Sequence, residues 1–571
     1  MNSAIDLIGA GSIVVVEAPA GRARREHLAT WIEQASDAGA TAWLLECHRA
    51  SGGAWAGVRD LLRELLPAIL RSAPDLAHAH DAELALVLPE LRRSVAARHP
   101  SLTRAPSTRV AHGLVDLLAA WHERSGAASW AIACDDFEHA GALVRLFFAE
   151  LARRRGAAIG LRLILAVAPG EGAGAVKDID ASVPREHVSL ALPPDPPPST
   201  VDPIELARRA RTLAQSFSSL AELEAALPRV IRHWEAAGDR RRAMFARIEA
   251  ASFCARREFH EDALHYGEIA APELERIAPD DAPRRLFLYG VLASSYAATG
   301  RAADAIAMAE KAFAITRDPR HLASFCYVAA MAHARRTPSP DFDGAERAID
   351  DGLRHIDRAG LPSHVRLLQR AIHRSGLAMI RRLQGRHEEA IALSRASFDE
   401  LEAGLAPHEH RLHRSVLLRD VALAAAAIGR IDESISAYTA AIGMTPDCAE
   451  YYDERGTLYL ETGCFDEAAR DFLRAIEQSS PYAEVWTKLG RCYAEMRRPE
   501  DALAAYARAI DLDPRCEDAR DAARDVRRWI ELDAAAEDGA RAPASSAEAR
   551  APRRPPLVSG GATRSGSRSA A

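Results

Sequence analysis

"AEVWTKLGRCYAEMRRPEDALAAYARAIDLDP", residues 483 to 514, is the stretch whose periodicity decides the fold of most of this 571-residue chain. Its small and aromatic residues recur when a ruler of about 34 residues, the period of stacked helix-turn-helix units, is laid backward along the sequence. Gly490 falls on Gly456, Tyr493 on Tyr459, Ala502 on Ala468, Tyr506 on Phe472 and Ala509 on Ala475. One step further back the same register meets Ala422, Ser434, Tyr438, Ala441 and Pro446. Three units result, over residues 415–448, 449–482 and 483–516. Small side chains at Ala422, Gly456 and Gly490, and again at Ser434, Ala468 and Ala502, let paired helices approach closely. Phe472 and Tyr506 then fill the gap to the next pair, so each unit needs its neighbour to bury a face.

These units resemble the tetratricopeptide repeat family, whose Trp, Leu-Gly, Tyr, Ala, Tyr, Ala and Pro positions are matched by Trp486, Leu489, Gly490, Tyr493, Ala502, Tyr506, Ala509 and Pro514. Weaker units read upstream, with Gly300 and Ala305 in one, Gly385 and Ala390 in another, and copies around Ala263 and Ala345. About seven repeats fill residues 240 to 515. "EDARDAARDVRRWIEL" follows as a capping helix, charged on one side and carrying Val526, Trp529 and Ile530 on the other, as a terminal unit requires. An all-α solenoid is therefore expected over residues 204–533. Such a solenoid presents a concave groove to a peptide or protein segment, lined by the first helix of each pair. That places Arg419 and Leu423, then Glu450, Asp453 and Thr457, then Glu484, Thr487 and Arg491 in the groove. The set lacks the Lys and Asn array that clamps a terminal carboxylate in chaperone-binding relatives, and its acidic middle points to a basic or mixed ligand.

Punctuation divides the rest. "PPDPPPSTVDP", residues 193–203, cannot continue a helix or a central strand, because proline fixes φ and donates no backbone hydrogen bond. It reads as a linker. Residues 534–571 are rich in Ala, Ser, Gly, Pro and Arg and bury too little apolar area to offset chain entropy, so a disordered tail is expected. Ahead of the linker, "SIVVVEA", "TAWLLEC", "SWAIACDD" and "LRLILAV" alternate with amphipathic helical stretches. Continuous apolar runs of this kind are what a parallel sheet covered on both faces demands, making residues 1–192 an α/β domain.

"IVVVEAPAGRARREHL", residues 13–28, has the outline of a phosphate-binding loop: strand, small-residue turn, helix. That loop works through glycines that close backbone N-H groups around phosphate, a lysine that reaches the β and γ phosphates, and a hydroxyl that ligates Mg²⁺. Here Gly21 keeps a turn glycine, Arg24 stands for the lysine and Arg25 for the hydroxyl, and the first lysine in the chain is Lys177. The other half of such a site is better kept. Asp135 and Asp136 end an apolar strand, as the acids that hold Mg²⁺ and orient water do, although a polar strand end or a helix N-cap accounts for them equally.

These segments resemble the nucleotide-binding domain of the large ATP-binding LuxR-type regulators, across roughly residues 3 to 192. The resemblance implies ATP at the loop, Mg²⁺ at the acidic strand, repeats that sense an inducer or partner, and a DNA-binding helix-turn-helix. Only Asp135 and Asp136 match residue by residue, and the DNA-reading helices are not found. A degenerate P-loop-like domain without a cofactor is expected, ATP and Mg²⁺ being disfavoured.

Composition sets the remaining bounds. The net charge of -7 argues against a nucleic-acid footprint over the whole surface. Eight scattered cysteines without CxxC spacing fit a reducing compartment, and no apolar run reaches membrane-spanning length, so a soluble cytoplasmic protein is expected. His78 with His80, and His408 with His410 and His413, sit in polar connecting segments without cysteines, so no metal site is assigned. The chain is read as a non-enzymatic scaffold for a protein or peptide ligand. The alternative is a signalling ATPase or transcriptional regulator that binds ATP and works with a separate DNA-binding partner.

Overall fold

A computed structural model describes residues 11–91, 107–126, 129–177, 179–181, 183–192, 203–215, 220–479 and 481–541. The chain divides into two compact units, residues 1–359 and 360–571.

The first unit opens with a five-stranded sheet in the order β2-β3-β4-β1-β5, where β1 is Ser12–Glu17, β2 Thr41–Glu46, β3 Trp130–Asp135, β4 Arg162–Val167 and β5 Arg185–Ser189. Every pairing is parallel, with Val14 opposite Ile164 and Leu45 opposite Cys134. The apolar runs divide by alternation. Ile13 and Val15 point into the larger core with the helices Val58–Ser72, Ser107–Ser125 and Ala142–Arg155, while Val14 and Val16 meet Leu28 and Trp31 of helix α1, Arg22–Asp37. Sequence patterning finds four of the strands. It misses β5, an edge strand of half-buried and exposed residues that offers no apolar run.

The expected linker lies outside the described residues except for Pro203, which starts the helix Pro203–Gln215. Within this unit the sheet and the first helices share one core. Phe259 belongs to the same apolar cluster as the strands and meets Trp55 edge to face at 6.3 Å. Beside them Arg49 and the buried Asp262 form an ion pair at 2.9 Å, and the Tyr266 hydroxyl donates to the Arg49 carbonyl. The unit continues as helical hairpins, Arg240–Arg256 with His260–Ile277, Ala282–Ala298 with Ala302–Ile315, and Pro319–Arg335 with Phe342–Arg358.

The second unit contains four more hairpins: Ser363–Leu383 with His387–Gly404, Arg411–Ala427 with Ile431–Met444, Ala449–Glu461 with Phe465–Gln478, and Ala483–Glu495 with Pro499–Leu512. Seven hairpins thus occupy residues 240–512 among the described residues. Ala422, Ala468, Ala502 and Phe472 are fully buried, as is Tyr506 but for 2%. Pro514 follows the last hairpin, half-buried. At Gly456 an added Cβ would stand 2.9 Å from the Phe472 ring, and at Gly490 2.6 Å from the Tyr506 ring, so helix approach is set by the missing side chains. The turns of the last hairpins use the left-handed backbone at Gly385, Gly429 and Gly463, but at Arg497 in the final one. The closing helix runs Glu517–Arg541, past the expected start of the tail at 534, and buries Val526 with Trp529 and Ile530 packed alongside. Residues 542–571 lie outside the described residues.

Candidate functional site

Two sets of candidate residues emerge from the sequence, one in each unit. The first lies at the C-terminal edge of the parallel sheet, where open α/β folds receive ligands. β1 ends at Glu17, and the turn through Ala18, Pro19 and Ala20 reaches Gly21, whose φ of 144° is one that glycine readily supplies. Helix α1 starts there without a side-chain cap.

Its third residue, Arg24, is only 1% exposed. The guanidinium is enclosed by acceptors: Nε donates to Asp135 Oδ1 at 2.8 Å, Nη2 to Asp136 Oδ1, and Nη1 to the Ala18 carbonyl at 3.1 Å. Nη1 also lies 3.6 Å from Glu138 Oε1, a third carboxylate that in turn accepts from the Ala168 amide at 3.0 Å. Burial raises the Asp135 carboxyl above its ordinary value while Arg24 pulls it down and Asp136 pushes it up. Arg25, by contrast, is exposed and reaches Glu46 at 3.3 Å. A depression of about 630 Å³ remains beside this cluster, lined by Gly21, Arg22, Arg25, Glu26, Asp135 and Asp136 among others.

The chemistry of the donor set follows from this enclosure. A divalent cation needs the carboxylates that Arg24 already neutralises, and it would have to displace a fork-shaped group that meets several acceptors at once. The residues present therefore do not fit Mg²⁺ while Arg24 is seated. Asp136 holds a left-handed backbone, φ 54°, and makes no side-chain cap to the short helical turn after it, so the N-cap alternative does not describe it. Glu138 and the Ala18 carbonyl escaped sequence reasoning. The only hint was an acid three residues beyond Asp135, a weak signal in a charged loop.

The second set lies on the first helices of the last three hairpins. Arg419 is bound by Glu454, with Nε at 3.0 and 2.7 Å from its two oxygens, and Lys488 meets Asp453 at 2.8 Å. Both pairs join residues 35 apart, one repeat plus one position, and so tie each first helix to the next. Thr457 and Thr487 turn their hydroxyls to the carbonyls of Asp453 and Ala483 in their own helices. Glu450 is half-buried and accepts from the Cys448 thiol at 3.3 Å, and Leu423 is half-buried. Glu484 and Arg491 are exposed with no ion pair among the described residues. The acidic middle is thus narrower than the sequence suggests, because Asp453 is already matched.

The family model for the tetratricopeptide repeat matches residues 420–484 and 454–515. These residues are tetratricopeptide repeats. Among solved structures, the tetratricopeptide domain of Arabidopsis OM64 is 24% identical over 21% of this chain and 98% of its own, with a TM-score of 0.20. YrrB, described as a tetratricopeptide protein with an unusual peptide-binding site, is 18% identical over 38% of this chain and 97% of its own, TM-score 0.27. Pseudomonas aeruginosa pilF is 12% identical over 42% and 97%, TM-score 0.32. No curated protein matches the chain.

Among the described residues, no group of His, Cys, Asp and Glu is arranged to hold a metal ion, and no helix is long and apolar enough to cross a membrane.

Proposed function

We propose that the chain is a protein-interaction scaffold whose repeats bind an extended or helical partner segment and whose sheet carries a P-loop-like nucleotide edge held shut by Arg24. Tetratricopeptide repeats suggest a protein-protein interaction scaffold, because stacked hairpins create an extended surface that such proteins use for binding. The observation that carries the second half is the buried guanidinium among Asp135, Asp136 and Glu138. The parallel sheet, the glycine turn after β1 and the acids at the end of β3 support descent from a nucleotide-binding domain, without the metal site that hydrolysis requires.

Among the candidate groove residues Glu450 and Glu484 are the acids without an ion pair and Arg491 the cation without one, which favours a ligand of mixed charge with a basic segment. Arrays of basic, acidic and neutral peptides probed with the full chain test this. Preferential capture of basic peptides should weaken when Glu450 and Glu484 are reversed to lysine, and capture indifferent to the reversal would refute the groove assignment. Calorimetry with ATP and Mg²⁺ tests the other half: no saturable heat is expected, and binding that vanishes in Asp135→Ala would restore the signalling ATPase.

A further inference from the structure

Five arginines are buried among the described residues, and four have a carboxylate at hand. Arg24 meets the acids of the sheet edge, Arg154 meets Asp116 at 2.5 Å, Arg247 meets Glu273 at 2.7 Å, and Arg414 meets Glu402 at 2.9 Å. Arg59 is the exception. It is 8% exposed, and its guanidinium donates only to main-chain oxygens, Nε to Val87 at 3.0 Å and Nη1 to Gly52 at 3.3 Å.

The acids nearest to it are committed elsewhere. Glu90 accepts from Arg63 Nε and Nη2 at 2.8 and 3.4 Å, and Glu224 faces Arg257 at 3.6 Å. Burial, and then the neighbouring Arg63, disfavour the charge on Arg59 and lower its pKa. A buried cation without a counter-charge is costly, so an anion is the missing partner.

Arg59 does not face packed protein. It lines a cavity of about 230 Å³ within the first unit, between the helix Val58–Ser72 and the helix Leu220–Ala236, shared with Arg63 and Arg229. Arg63 Nη1 makes a loose ion pair with Asp60 at 3.8 Å, and the exposed Arg229 has no ion pair among the described residues. The two carboxylates on the rim are engaged or largely solvated: Glu46 holds Arg25 and Arg232, and Asp60, loosely paired with Arg63, is 63% exposed.

We propose that Arg59, Arg63 and Arg229 form a binding site for a small phosphoryl oxyanion, either free phosphate or the phosphate of a small monoester. Guanidinium forks match the oxygens of such a group, and its charge of up to two suits a cavity with three of them better than a lone carboxylate would. Because the site joins the sheet to the first helical layer, its occupant would tie those layers together.

Calorimetric titration of the full chain with inorganic phosphate and, separately, with glycerol 3-phosphate, at constant ionic strength, tests the site. Saturable binding of at least one probe is expected, weakened about tenfold or more in Arg229→Gln, whose exposed position leaves the unliganded melting temperature unchanged. Arg59→Met should abolish binding. Tighter binding of glycerol 3-phosphate identifies a phosphomonoester, and tighter binding of phosphate identifies the free anion. Absence of saturable heat with both probes, or an affinity unchanged in Arg229→Gln, overturns the proposal.

Discussion

Arg24 in the sheet and Arg419 in the repeats make the same chemical bond in opposite settings. Arg24 is sealed among three carboxylates and a carbonyl, whereas the Arg419 side chain is 36% exposed and faces one carboxylate across a repeat boundary. At the sheet edge water is kept from the Arg24 guanidinium, so the pairing is a fixed part of the structure and occupies three acids. On the repeat surface the pair is half-buried, so water reaches it and screens it in part. Burial, more than the count of charges, decides which set of residues stays available.

The comparison breaks most sharply at Arg24. Replacing it with alanine leaves the buried Asp135 and Glu138 and the partly exposed Asp136 without their counter-charge, and urea denaturation should show a loss of about 3–5 kcal/mol. A loss under about 1 kcal/mol, the range of an exposed pair, would make the two settings equivalent.

Acid titration sharpens the same contrast at two carboxyls, the buried Asp262 and the half-buried Asp420. Burial lifts Asp262 in the first unit to about 6 against the pull of Arg49, and lifts Asp420 in the second to about 6 although Ser375 donates to it. A folded pKa above the unfolded one means that the native chain holds extra protons between about pH 4 and 6. Stability should therefore fall as pH rises through that window, by about 3 kcal/mol for each group. Asp262→Asn should remove about half of the slope in urea melts followed across that range.

Next in size is the repeat packing. Gly490→Ala drives a methyl against Tyr506, an overpacking of about 1–3 kcal/mol reduced by the roughly 1 kcal/mol that alanine gains in a helix. A net destabilisation of up to about 2 kcal/mol is expected in thermal melts, and a net stabilisation would mean that the ring yields without cost. Arg497 occupies the left-handed turn position that Gly429 and Gly463 fill in the preceding hairpins. Arg497→Gly should therefore stabilise the chain by up to about 1 kcal/mol, less the contact of this arginine with the Trp529 ring at 5.1 Å. Smallest of all, a double-mutant cycle on Arg419 and Glu454 should return a coupling below about 1 kcal/mol.

The sequence by itself determined the repeats and four of the five strands. Both rest on short-range periodicity: Gly456, Phe472 and their copies recur on one ruler, and the strands are unbroken apolar runs. β5 escaped because an edge strand needs no such run. Arg24 was legible as the departure from a lysine, but the tertiary structure alone decided what it does. Its partners are Ala18, on its own turn, and Asp135, Asp136 and Glu138, which lie more than a hundred residues away and are brought to it by the pairing of β1 with β4 and β4 with β3. The unmatched Arg59 is decided in the same way, since only packing shows which charges are left without a partner. Periodicity records what neighbours in the chain must do together, while charge pairing depends on which distant segments exclude the same water.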